Sequence, residues 1–147
     1  MSYRIVYGID PDSDKHGVAI YVEGRLMELK AMSLMELIGA ASTRKEDKLF
    51  SIEDVMANQF VYTRNQKSSK AQQSKIAMHI GRCQQAQVEL MRALDNLGIP
   101  YQLHKPQRGN WAKNKEQFRK VTGWDGRSNE DTRSAAYFGF LSLEAKA

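Results

Sequence analysis

A single cysteine, Cys83, among 147 residues excludes an internal disulfide framework and any zinc site built on several thiolates. Histidine is nearly as scarce, and His16, His79 and His104 are too scattered to suggest a zinc hydrolase. No apolar run approaches the roughly 20 residues that cross a bilayer. Met1-Ser2-Tyr3 leads straight into a strand-like run, without the charged-then-apolar pattern of a signal peptide. P-loops, glycine-rich dinucleotide fingerprints, internal repeats and low-complexity linkers are missing too. The expectation is a soluble protein of a reducing, cytoplasmic compartment with no membrane association.

What is present describes a globular chain. Its length fits one domain spanning residues 1–147, long enough to bury a core without disulfides. A hydrophobic fraction of 41% and a charged fraction of 27% are ordinary for folded proteins. The formal net charge is +5, with a sequence pI of about 9.3. A basic balance suits a polyanionic partner, because lysines and arginines that neutralise phosphates release condensed counterions. It is equally compatible with a small domain that is merely basic.

The chain opens on the β-branched run Arg4–Ile9, which stops at Asp10-Pro11 and reads as a buried strand. Gly17–Val22 and Arg25–Leu29 form a hairpin across Glu23-Gly24. A short helix over Ser33–Ala41 carries a capping box of Ser33 with Glu36. Leu49–Val55 reads as a further strand. From Ala71 to Leu97 the residues Ile76, Ile80, Cys83, Leu90, Leu94 and Leu97 recur at helical steps, and Gly98-Ile99-Pro100 stops the helix. Ile99–His104 is a short strand, Lys105–Lys120 a basic and partly helical segment, and Gly123–Gly126 a turn. Ser128 then opens a last helix carrying Ala135, Ala136, Phe138 and Phe140. The order predicts an α/β domain with a mixed central sheet and helices on both faces.

Two carboxylates stand out by position. Asp10 ends the first strand and Glu53 lies on the strand after the first helix, both after apolar runs where an unpaired charge is costly. Each could also face water at a strand end. Asn129–Arg133 adds Glu130 and Asp131 at the start of the last helix, where acidic residues also occur for dipole reasons alone. The three elements become informative if the first and fourth strands are neighbours and the last helix crosses them. Such a cluster suits hard divalent cations, Mg2+ first and Mn2+ as a substitute, acting on a phosphodiester.

Several segments in this order resemble the RuvC Holliday-junction resolvases, a branch of the RNase H-like superfamily. Gly8-Ile9-Asp10-Pro11 with Gly17-Val18-Ala19 is similar to their opening, and Ser51–Val55 to the strand carrying their catalytic glutamate. Gly81-Arg82 is similar to part of the helix that follows. Thr122-Gly123-Trp124 and Ser128–Ala136 are similar to the closing segment of shorter, phage-type members. The resemblance runs over nearly the whole chain. It implies metal-dependent cleavage of four-way DNA junctions by a homodimer, in a host cytoplasm if the chain is phage-encoded. Asp10 and Glu53 match the first two metal ligands. Asp131 fills the first acidic position of the last helix, one turn before Ser134, which stands where a second aspartate is expected. Asp10, Glu53 and Asp131 are therefore the expected catalytic residues, with Glu130 or water making up the ligand set.

Lys105, Arg108, Lys113, Lys115, Arg119 and Lys120 crowd the stretch before the last helix. The resemblance implies phosphate contacts in this segment, with Lys113 and Lys115 the choices nearest the scissile bond. A second patch combines Arg64, Lys67 and Lys70 with Phe60 and Tyr62, either of which could stack on an opened base. The 71–97 helix exceeds what one small sheet can cover, so its surplus is expected to pair with a second copy. Three functions stay open: a nuclease for branched double-stranded DNA, a binding module silenced at Ser134, and a nuclease of RNA–DNA hybrids.

Overall fold

The computed structural model describes residues 2–57 and 69–147. Strand β1 (Ile5–Asp10) runs through the middle of a five-stranded sheet, and its apolar residues are buried on both faces. It pairs antiparallel with β2 (His16–Val22), which pairs antiparallel with β3 (Arg25–Met32). The connecting Glu23 and Gly24 both have positive φ, 51° and 81°. Such two-residue turns match the twist of a hairpin. The edge strand β3 carries charges and is largely exposed, which discourages further pairing.

Helix α1 (Leu34–Ser42) starts at the expected capping box of Ser33 and Glu36. The chain then returns as β4 (Lys48–Glu53), parallel to β1, with Tyr7 and Phe50 stacked at 4.6 Å across that pair. After a short 3-10 turn (Val55–Ala57) and the 58–68 stretch comes α2 (Lys70–Leu97), ended by Gly98 in left-handed geometry. Strand β5 (Tyr101–His104) pairs parallel with β4. Helices α3 (Lys115–Thr122) and α4 (Glu130–Phe140) close the fold. The sheet order is β3-β2-β1-β4-β5, so the first and fourth strands are indeed neighbours.

Alternation along the strands divides the core into two layers. Ile5, Tyr7, Ile9, Val18, Phe50 and Ile52 pack with Leu37, Ala41, Leu90 and Leu94 under α1 and α2. Val6, Ala19 and Tyr21 pack on the other face with Trp111, Phe118, Ala135 and Ala136. The expected mixed sheet with helices on both faces is therefore present.

Several local boundaries differ: β3 runs on to Met32 rather than ending at Leu29, and β5 starts at Tyr101 rather than Ile99. The fourth strand stops at Glu53, because Asp54 accepts from the Met56 N–H and turns the chain into the 3-10 turn. Helix α2 begins at Lys70, capped by Ser69. The helix of the basic segment begins only at Lys115, where the Asn114 side chain accepts from Gln117 N–H. Asn129, not Ser128, opens α4, through reciprocal bonds with Thr132. Along α2 the buried stripe also contains Gln87, while Leu97 is exposed. Among the described residues no helix is long and apolar enough to cross a membrane.

Candidate active site

Parallel pairing of β1 with β4 aligns Ile9 with Ile52, so the next residues, Asp10 and Glu53, emerge together at the carboxyl ends of adjacent strands. Helix α4 must then approach the sheet closely to add its own acidic group. Glycines permit this. A Cβ on Gly8 would lie 2.0 Å from the Ala135 carbonyl oxygen, and one on Gly17 only 2.6 Å from that of Asp131. Gly17 is the cross-strand partner of Asp10, so the same contact brings the first turn of α4 beside that carboxylate. Tyr21 fixes the helix by donating to the Ala136 carbonyl at 2.6 Å, and Ser51 does so by donating to that of Phe138.

The resulting cleft has a volume of about 210 Å³ and is lined chiefly by Asp10, Asp12, Glu53, His79, Cys83 and Asp131. The carboxyl groups of Asp10 and Glu53 adjoin and hydrogen-bond to each other. Burial is the main reason the Asp10 pKa rises to about 8; the charges of Glu53 and Asp131 add to it, and a hydrogen bond from Ser134 opposes it. Burial also raises Glu53, with Asp131 adding repulsion. Asp131 is raised by partial burial and by Asp12 and Glu130, while His79 draws it down. Burial pushes the Cys83 thiol up, so this group is a poor nucleophile.

Among the described residues the cleft lining contains four carboxylates and no lysine or arginine. A half-buried carboxyl pair whose ionisation is held back by burial is a donor set that a small, hard cation would discharge, and in this chemical sense the residues fit Mg2+ or Mn2+. Among the described residues, however, no group of three or more histidine, cysteine, aspartate or glutamate side chains stands in a ready-made metal-holding arrangement.

Of the acidic residues singled out in the sequence, the fold brings together Asp10, Glu53 and Asp131. Glu130 is exposed and is not part of the cleft lining; its charge acts on Asp131 from outside. Ser134 is buried, one turn beyond Asp131, with its hydroxyl on the Asp10 carboxyl.

Lys105, Arg108, Lys113, Lys115, Arg119 and Lys120 are all exposed, and none forms an ion pair with another described residue. Their segment is strapped to the outer side of α4. Arg133 donates two bonds to the Ala112 carbonyl, at 3.0 and 2.8 Å, and a third to Ser128. Trp111 packs edge-on against Tyr137 with ring centres 5.3 Å apart. The second patch, Phe60, Tyr62, Arg64 and Lys67, lies outside the described residues, and Lys70 is exposed at the start of α2. His79 carries no signal of its role in the sequence, since its place in the cleft depends on the packing of α2. Gln87 does leave one: a polar residue at a core position of the apolar stripe, four after Cys83 and three before Leu90.

A mixed sheet of this order, flanked by helices and carrying acidic residues at the ends of its first and fourth strands, is an RNase H-like fold of the RuvC type. The solved structures it resembles include T. thermophilus RuvC in complex with Holliday junction substrate. That similarity has a TM-score of 0.61 at 18% identity and covers 92% of this chain and 90% of that one. A second Thermus thermophilus RuvC structure matches with a TM-score of 0.53 at 18% identity, over 92% and 91% of the two chains. The chain matches no protein-family model and no curated protein, so the likeness is one of fold.

Proposed function

We propose that this protein is a structure-selective endodeoxyribonuclease that cuts four-way or otherwise branched DNA by metal-dependent phosphodiester hydrolysis. The observation that carries this reading is the half-buried Asp10–Glu53 pair with Asp131 at its side, in a cleft that holds no lysine or arginine among the described residues. The fold shared with a RuvC that was solved on a Holliday junction substrate supports the choice of DNA.

In this reading Asp10, Glu53 and Asp131 hold the metal, and Glu130 adds to the field from outside the cleft. A bound Mg2+, or Mn2+ in its stead, supplies Lewis-acid stabilisation of the charge that builds on the phosphate. Ser134 orients the Asp10 carboxyl through its hydrogen bond. Lys113 and Lys115 grip phosphates beside the cleft, and Lys105 and Arg108 extend the grip along the strand. Arg64, Lys67 and Phe60 serve the same substrate from the segment before α2. Pairing of two copies through α2 would offer two clefts to one junction.

One observation favours a second reading. A neutral hydroxyl at Ser134 contributes less negative charge than a carboxylate would, which suits a module that binds branched DNA without cutting it. A labelled four-way junction, tested beside a linear duplex with Mg2+, Mn2+ or EDTA, separates the two. Paired, metal-dependent nicks confined to the junction support the nuclease. Tight binding with no cut in either metal would sink it in favour of the binding module.

A further inference from the structure

Gln87 has no exposed surface and sits among apolar residues of α2, between Cys83 and Leu90. A buried amide is costly unless both its polar ends are bonded. Gln87 makes both of its principal bonds far away in sequence. Its Oε1 accepts from the Val55 N–H at 2.8 Å, and its Nε2 donates to Asp54 Oδ1 at 3.0 Å. One turn earlier, Gln84 Nε2 donates to the Val55 carbonyl at 3.3 Å. From the opposite side the Asp54 N–H donates to the His104 carbonyl of β5 at 2.8 Å. The two residues that follow Glu53 are thus held between a sheet strand and a helix.

Core packing alone does not account for this arrangement. Methionine or leucine would fill the same position in the stripe without any polar group to satisfy. The amide is spent on the point where the chain leaves β4, immediately after a carboxylate that strand pairing fixes only up to its own position. Helix α2 also lines the cleft through His79 and Cys83, on the face that carries Gln87. Any movement of the 54–55 turn relative to α2 would therefore shift Glu53 relative to Asp10 and that cleft wall.

We infer that Gln87 is a positioning residue, which latches the exit of β4 to α2 and so holds the Glu53 carboxylate in register with Asp10 for a divalent cation. This rests on the reading of the cleft as a metal site. Groups that orient metal ligands at one remove typically change metal affinity or activity by about 10–100-fold when lost.

The test measures Mn2+ binding by the electron paramagnetic resonance of free Mn2+, alongside junction cleavage, in wild type, Gln87→Met, Gln87→Glu and the double variant Asp54→Asn/Gln87→Glu. Gln87→Met keeps the volume and removes both bonds. It should bind Mn2+ about 10–100-fold more weakly and lower kcat to a similar degree, with KM for the junction nearly unchanged. Gln87→Glu sets two carboxylates against each other, whereas the double variant removes that repulsion and, although one oxygen of Asp54 serves both Gln87 and the Met56 N–H, should recover part of the Mn2+ affinity. If Gln87→Met melts lower yet binds Mn2+ as wild type does, the amide is merely structural and the inference fails. Should Gln87→Met not fold, the comparison of Gln87→Glu with the double variant decides, and equal Mn2+ affinity in those two overturns the latch. Wild type that binds Mn2+ but cuts no junction defeats the nuclease reading alone, since the affinities still decide this one.

Discussion

Replacing Asp10 by asparagine should stabilise the metal-free protein while abolishing any cleavage. The side chains are nearly isosteric, and asparagine can still bond to Glu53 without carrying charge. An ordinary aspartate ionises near 3.8, whereas Asp10 in the fold does so only at about 8. At about 1.36 kcal/mol for each pH unit of difference, keeping that carboxyl ionised costs the fold at most about 6 kcal/mol. Water entering an open cleft lowers the effective penalty, so a gain of roughly 1–3 kcal/mol is the expected size for the variant at pH 8. In a protein of this length that corresponds to a Tm higher by roughly 3–10 °C. The sign follows from proton counting. A raised folded pKa means that the native state binds the extra proton, so stability falls as pH rises from about 3.8 through about 8. The advantage of Asp10→Asn should therefore be near zero at pH 4, grow steadily, and be complete above pH 8. Thermal melts in EDTA across this range measure it. Millimolar Mn2+ should then reverse the order, because only wild type gains binding energy from the metal. A gap that is flat with pH, or a variant less stable than wild type in EDTA at pH 8, would refute the account of the cleft as a pocket of mutually repelling carboxylates.

Three further outcomes follow from the same geometry. Lys113→Gln with Lys115→Gln should weaken junction binding in EDTA and make the log–log salt dependence shallower by about one to two, near 0.9 for each phosphate no longer neutralised; an unchanged slope in fluorescence anisotropy titrations would remove these lysines from the interface. Ser134→Asp should lower the metal-free Tm, since it adds a buried charge beside Asp10, and should increase both the Mn2+-induced rise in Tm and the cleavage rate; no change in the metal response would show that the hydroxyl position does not matter to the site. Gly8→Ala should cost about 1–3 kcal/mol or more and blunt the Mn2+-induced rise in Tm, because its Cβ would collide with the Ala135 carbonyl and push α4 off the sheet; a wild-type melting profile would contradict that close approach.

Features governed by a few adjacent residues were legible in the sequence. The Asp10 strand end, the Glu23-Gly24 turn, the Ser33–Glu36 cap and the Gly98 stop each depend on interactions within four or five positions. The end of β4 was not legible, because Ser51–Val55 alternates like a strand while Asp54 and Val55 are seized by a glutamine more than thirty residues away. The same limit applies inside the cleft. Sequence places Glu130 and Asp131 side by side at a helix start, and only the approach of α4 over Gly17 selects Asp131 for the cleft. The bond of Ser134 to Asp10 likewise joins opposite ends of the chain.

Helix α4 carries the two halves of the proposed chemistry on different sides. Asp131 and Ser134 meet the carboxylates at the sheet, while Arg133 and Tyr137 hold the basic segment outside through Ala112 and Gln107. Mixing the two sets would let lysines neutralise the carboxylates directly and remove the reason for a metal to bind. Among the described residues, α4 keeps the acidic groups on the cleft and the basic segment on its other side. The short path from Asp10 through Ser134 and Arg133 to Ala112 then ties the position of Lys113 to that of the carboxylates. A phosphate gripped by that lysine would be held at a distance set by backbone packing rather than by a flexible loop, which is what an in-line attack on one chosen phosphodiester requires.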